Sequence, residues 1–144
     1  MGEVEADPGS LFASCVGKLP DRAMRLFAVE CCRRVCEFLT DHWQHGINVA
    51  ERFAEGQATR DELVFRLGYL TRDFEEVIES DNGEIYAAKQ AVLACLDPSS
   101  PFDPTEAAAK ASKSVGCAHD TEEARREEQA WQIAEFQAYI AGVV

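Results

Sequence analysis

Six cysteines and three histidines are the residues of this chain that carry the most chemistry. A thiolate is a nucleophile and a soft metal ligand, and an imidazole is a base or a borderline ligand, so their spacing decides what they can do. Cys31, Cys32 and Cys36 fall within one short stretch. On a continuous helix, Cys32 and Cys36 are one turn apart and lie side by side along an edge. Completed by Cys15, His42 or His45, that pair is the candidate metal or thiol-redox centre. The competing reading makes all three cysteines small buried hydrophobes, the usual setting of a free thiol. It is favoured because the chain contains no Cys-x-x-Cys pair.

Other pairings are poorer. His42 and His45 are three apart and lack the His-Glu-x-x-His arrangement that holds zinc from one helix face. Cys117 and His119 are two ligands without partners. Glu75 and Glu79 lie four apart on one helix face and can hold a hard cation only if an opposing helix adds oxygens. A solvated acidic face is the simpler reading of them. There is no glycine-rich phosphate loop, no Walker pattern and no Gly-x-Ser-x-Gly elbow. The residues therefore predict no catalytic site and no cofactor.

The elements that would position these groups are helices. The stretch Leu19–Gly56 is central, and Asp21 to Leu39 reads as one amphipathic helix. Met24, Phe27, Ala28, Cys31, Cys32, Val35, Phe38 and Leu39 fall on an arc of roughly 140°. Arg22, Glu30, Arg33, Arg34 and Glu37 lie opposite, where the arginines are expected to pair with acidic neighbours. Leu26, Val29 and Cys36 sit off the main face, as in a helix contacted from several sides. Pro20 suits a first turn, since its missing N–H has no helical partner there.

The run Arg25-Leu26-Phe27-Ala28 … Cys31-Cys32-Arg33-Arg34, with Asp21-Arg22, Leu39-Thr40-Asp41, Ala50-Glu51-Arg52-Phe53-Ala54 and Gly56, resembles an uncharacterised bacterial all-helical family with a Leu-Phe-Ala … Cys-Cys-Arg-Arg helix. The resemblance covers roughly the first half of the chain after residue 18. It implies a helical fold and brings no assigned function, cofactor or catalytic residue. Members of that family continue into a long alanine- and tryptophan-rich region. Here that part holds only Ala107-Ala108-Ala109 and Trp131, so different C-terminal packing is expected.

A chain of 144 residues with 47% hydrophobic content can close one core without staples. No stretch is long and apolar enough for a membrane span, and the acidic start, Met-Gly-Glu-Val-Glu-Ala-Asp-Pro, does not read as a secretory signal. Adjacent Cys31 and Cys32 fit reduced thiols in a cytoplasm better than a disulfide framework. A net charge of −12 argues against nucleic acid and anionic membrane as partners, since both demand a basic surface.

Along the chain, residues 1–9 read as a flexible tail and 10–144 as a single helical domain. Ser10 is expected to cap a short helix to about Lys18. Asp41 to Glu55 reads as a third helix with Trp43, Ile47 and Ala50 inward, weakened by a mid-helix Gly46. Thr59-Arg-Asp-Glu62 matches a capping box. Leu63, Leu67, Leu70, Phe74 and Ile78 then form a near-heptad stripe, readable as a core face or as a seam with another chain. Glu84 to Leu96 is a fifth helix, and Asp97-Pro-Ser-Ser-Pro101 a loop. Asp103-Pro104 opens a helix to about Ser114, alanine-rich and expected to be peripheral. Gly116 to His119 reads as a loop. Asp120 caps a last helix whose inward face is Trp131, Ala134, Ala138 and Ala141.

The expected architecture is all-α, an irregular helical bundle of about six or seven helices. The expected function is non-enzymatic: a protein-interaction module binding a protein partner or a second copy of itself. Two alternatives are a cysteine-based metal or thiol sensor, and an acidic inhibitor or immunity-type protein whose carboxylates cover a basic surface.

Overall fold

Helix α2 (Asp21–Arg33) buries Met24, Phe27, Ala28, Cys31 and Cys32 completely, as its amphipathic pattern requires. In the computed structural model, which describes residues 8–77, 82–119 and 122–143, it packs against α1 (Pro8–Cys15), α3 (Asp41–Ala54), α5 (Gly83–Cys95), α6 (Thr105–His119) and α7 (Glu122–Val143), while α4 (Arg60–Val77) lies against α3 and α5. The protein is all-α, with no strand among the described residues. No helix among them is long and apolar enough to cross a membrane. Of the expected features, Ile78, Glu79, Asp120 and residues 1–7 lie outside the described residues.

The expected helix Asp21–Leu39 is broken. It stops at Arg33, Val35 leaves the helical region at φ −120°, and a single 3-10 turn, Cys36–Phe38, follows. Nothing local announces the stop, because neither Gly nor Pro is there. The loosened carbonyls are satisfied from α3: the Gln44 side-chain amide donates to Cys36 O at 3.1 Å and Leu39 O at 3.0 Å. Val35 and Leu39 both remain buried after the turn.

Most of the expected core is in place. Met24, Phe27, Cys31, Val35, Ile47, Leu70 and Val92 are buried, with Phe38, Leu67, Phe74 and Trp131 half-buried against them. Phe12, Phe27 and Phe136 join α1, α2 and α7 through three ring pairs with centroids 4.8–5.0 Å apart.

Gly46 serves packing. A Cβ there would sit 2.6 Å from Leu70 Cδ1 and 3.3 Å from Val92 Cγ1, so its absence lets α3 close on α4 and α5. Gly46→Val should therefore cost about 1–3 kcal/mol by overpacking, read as a lower denaturant midpoint with helix content retained.

Two expectations at the C-terminal end are corrected. Helix α6 runs on to His119 and is not peripheral: Ala107, Ala108 and Ala111 are buried, and their small side chains let α6 lie close along α5. Helix α7 turns a different face inward. Glu128, Gln132 and Phe136 are buried, while Ala134, Ala138 and Ala141 face solvent. The polar pair is tolerated because each has a partner: Gln132 donates to Ala108 O at 2.8 Å, and Glu128 accepts from Arg34. At the N-terminus, α1 begins at Pro8, inside the expected tail.

Candidate functional site

The thiols are not arranged as the spacing suggests. Because α2 ends at Arg33, Cys36 does not follow Cys32 along a helix edge. Cys32 is fully buried. The Cys95 thiol of α5 and burial push Cys32 well above the ordinary thiol range, and burial does the same for Cys31. Both are protonated packing groups in a dry setting, unlike the exposed thiolate that metal binding or exchange needs. Cys15 and Cys36 are half-buried, and His42 and His45 are exposed on α3, with the His42 ring 5.9 Å from Tyr69. Among the described residues, no three His, Cys, Asp or Glu side chains are grouped to hold a metal ion. Cys117 is exposed in an open groove of about 680 Å³ between α6 and α7, beside Lys113 and Arg125.

The buried thiols have a consequence for stability. In the unfolded chain a thiol ionises at about pH 8.5, whereas Cys31 and Cys32 hold their protons in the native state. Above that pH the native state binds more protons than the unfolded one, so stability falls as pH rises. The unfolding free energy should be insensitive to these groups below about pH 8 and decline above it, by up to about 1.4 kcal/mol per thiol per pH unit, read as a falling melting midpoint. Cys31→Ala/Cys32→Ala should flatten the decline. Burial moves the Tyr139 hydroxyl the same way, to about 12.

Three arginines of the central stretch pair as expected. Arg22 meets Glu55 at 2.9 Å, Arg33 meets Glu51, and Arg34 binds Glu128 through both carboxylate oxygens while stacking 3.9 Å from the Trp131 ring centroid. Arg25 departs from the pattern. It is 3% exposed, donates to Cys95 O at 2.7 Å and lies over the rings of Phe102 and Phe53. It therefore belongs to the core and offers no anion site.

The described acids of the two acidic runs lie on different helices. Glu75 and Glu76 are exposed on α4, which packs on α3 and α5. Glu122, Glu123 and Glu127 are exposed on α7, which packs on α1, α2 and α6, and Glu128 is buried. The described acids of the two runs thus sit on helices whose main packing partners differ.

Helix α4 carries the feature that stands out. The reciprocal capping box forms: Glu62 N–H donates to Thr59 Oγ1 at 3.1 Å, and Thr59 N–H to Glu62 Oε1 at 3.2 Å. From that fixed start, the leucine stripe faces the core, with Leu63 and Leu70 fully buried and Leu67 and Phe74 packed beside them. The same helix is also apolar outside. Phe65 is 69% exposed, Val64 44% and Tyr69 43%, and Gly68 between them has nothing within 4 Å of where a Cβ would be.

Known proteins add no constraint. No family model, curated protein or solved structure matches this chain. The functional reading has to come from the molecule's own surface, and its α4 face escaped the sequence analysis. The signal was present: Phe65 and Tyr69 are four apart and Val64 adjoins Phe65, all off the leucine stripe. The stripe was the stronger periodicity and masked it.

Proposed function

We propose that the protein is a non-enzymatic helical module that acts by binding protein through the outer face of α4. The observation that carries this reading is the exposed Val64, Phe65 and Tyr69 on a helix whose opposite face already fills the core. Large exposed aromatics clustered on one face are the composition of an interface centre, where aromatic anchors supply most of the binding energy. The charge of −12 supports a protein over a polyanion as the partner. Six unpaired thiols, two of them adjacent, fit action in a reducing, cytoplasmic setting.

The test is photo-crosslinking in the host cell, with a benzophenone amino acid at position 65 and a control at exposed Glu127 on α7. A discrete adduct from position 65 and none from position 127 is the expected result. Equal labelling from both, or none from either, would overturn the reading.

A further inference from the structure

The outer stripe of α4 has a property that a general sticky face lacks. Asp61, Phe65, Gly68 and Arg72 succeed one another at steps of four, three and four, and lie within roughly 60° of arc on a helix turning 100° per residue. All four are exposed. Asp61 and Arg72, at the two ends, form no ion pair among the described residues. Gly68 costs a helix about 1 kcal/mol relative to Ala, and no neighbour within the chain requires it, since its outer side is open.

We propose that the partner of this face is a second copy of the same chain, its α4 lying antiparallel so that each Phe65 seats beside the other copy's Gly68 and each Asp61 meets the other copy's Arg72. This rests on the reading of α4 as a docking face and names its occupant. In an antiparallel pair the four residues stack into four level layers. Arg72 and Asp61 close the two ends, and two Phe65–Gly68 layers fill the middle. Each large ring occupies space that the facing glycine leaves open, which lets the backbones approach. The arrangement is isologous, as a two-fold dimer requires. A parallel pair would set Asp61 on Asp61 and Arg72 on Arg72, so charge alone selects the antiparallel form. Val64 and Tyr69 flank the stripe on opposite sides and widen the apolar strip. The contact is about three helical turns long, so the dimer is a modest one whose affinity falls as salt screens its end pairs.

Sedimentation of the purified, reduced chain over a concentration series tests this. The wild type should pass from monomer to dimer. Asp61→Arg alone, and Arg72→Asp alone, each turn both end pairs into like-charge contacts and should raise the dissociation constant about tenfold or more. Mixing the two variants should restore dimer, because every end contact is again Arg against Asp. Gly68→Leu should abolish the dimer with helix content unchanged, since its side chain meets nothing within its own chain. A wild type that stays monomeric throughout, or a mixture no tighter than either variant alone, would overturn the proposal. A monomer that still gives a discrete adduct to a different protein from position 65 would overturn self-pairing alone. No adduct from position 65 together with a monomer would remove the docking reading as well.

Discussion

Phe27→Ala is expected to lower the unfolding free energy by about 3–5 kcal/mol, among the largest effects of any single truncation in this protein. The ring is fully buried at the crossing of α1, α2 and α7. It lies 5.0 Å from both Phe12 and Phe136, and 6.1 Å from Tyr139, in tilted or edge-on geometries. Truncation removes the transfer free energy of the ring, leaves a cavity the three helices cannot collapse into, and breaks aromatic pairs worth about 0.5–1.5 kcal/mol each. Against a domain stability of about 5–15 kcal/mol, the loss is a large fraction of the whole. Urea titration followed by circular dichroism measures it. Because the rings touch, Phe27→Ala/Phe136→Ala should cost less than the two single losses added together. A loss below about 1 kcal/mol for Phe27→Ala would show that the three helices do not meet there.

Arg25→Ala is expected to cost about 3 kcal/mol or more, and Arg25→Met about half of that. The guanidinium is buried between the Phe102 and Phe53 rings, 4.1 Å and 5.0 Å from their centroids, and donates to the last carbonyl of α5. Alanine leaves that carbonyl unpaired, at about 1–3 kcal/mol, and also removes the stem that fills the space. Methionine keeps the stem. It also spares the protein the desolvation of a charge, the cause that pulls the Arg25 ionisation below its usual range against the opposing pull of Cys95, Asp21 and Asp97. A nearly equal loss for both variants would assign the stability to the hydrogen bond rather than to packing. The neighbouring carboxylate of Asp21 accepts from the Phe102 N–H at 3.0 Å and from the Ser100 hydroxyl. Arg25 and Asp21 together thus fasten the loop after α5 to the start of α2, and Arg25→Ala should loosen that loop first. Faster amide exchange over residues 97–104 would register it.

The dimer proposed for α4 is independent of both variants. Phe27 and Arg25 report on how the bundle closes, whereas Asp61, Phe65, Gly68 and Arg72 lie on the outside of a helix whose inner face is already satisfied. Charge reversals there should leave the monomer's unfolding free energy within about 0.5 kcal/mol of wild type, which separates loss of assembly from loss of fold.

What was local could be read from the chain. The 3.6-residue periodicity of α2 and α3, the Thr59–Glu62 capping box and the Asp97–Pro101 loop follow from side chains within a few residues of one another. They required only propensity, pattern and capping chemistry. What depended on a partner far along the chain could not be read. The 3-10 turn after Arg33 is held by Gln44, and the burial of Glu128 relies on Arg34, the inward turn of Gln132 on Ala108, and the place of Arg25 on Cys95 and Phe102. In each, a polar group enters the interior because a distant donor or acceptor removes the cost of burying it, and hydrophobic periodicity assigns such residues to the surface. The thiols follow the same logic: sequence adjacency joins Cys32 to Cys36, while packing joins it to Cys95. The α4 face is the opposite case, since its residues were in view throughout and only the filled core behind them shows that they stay outside it.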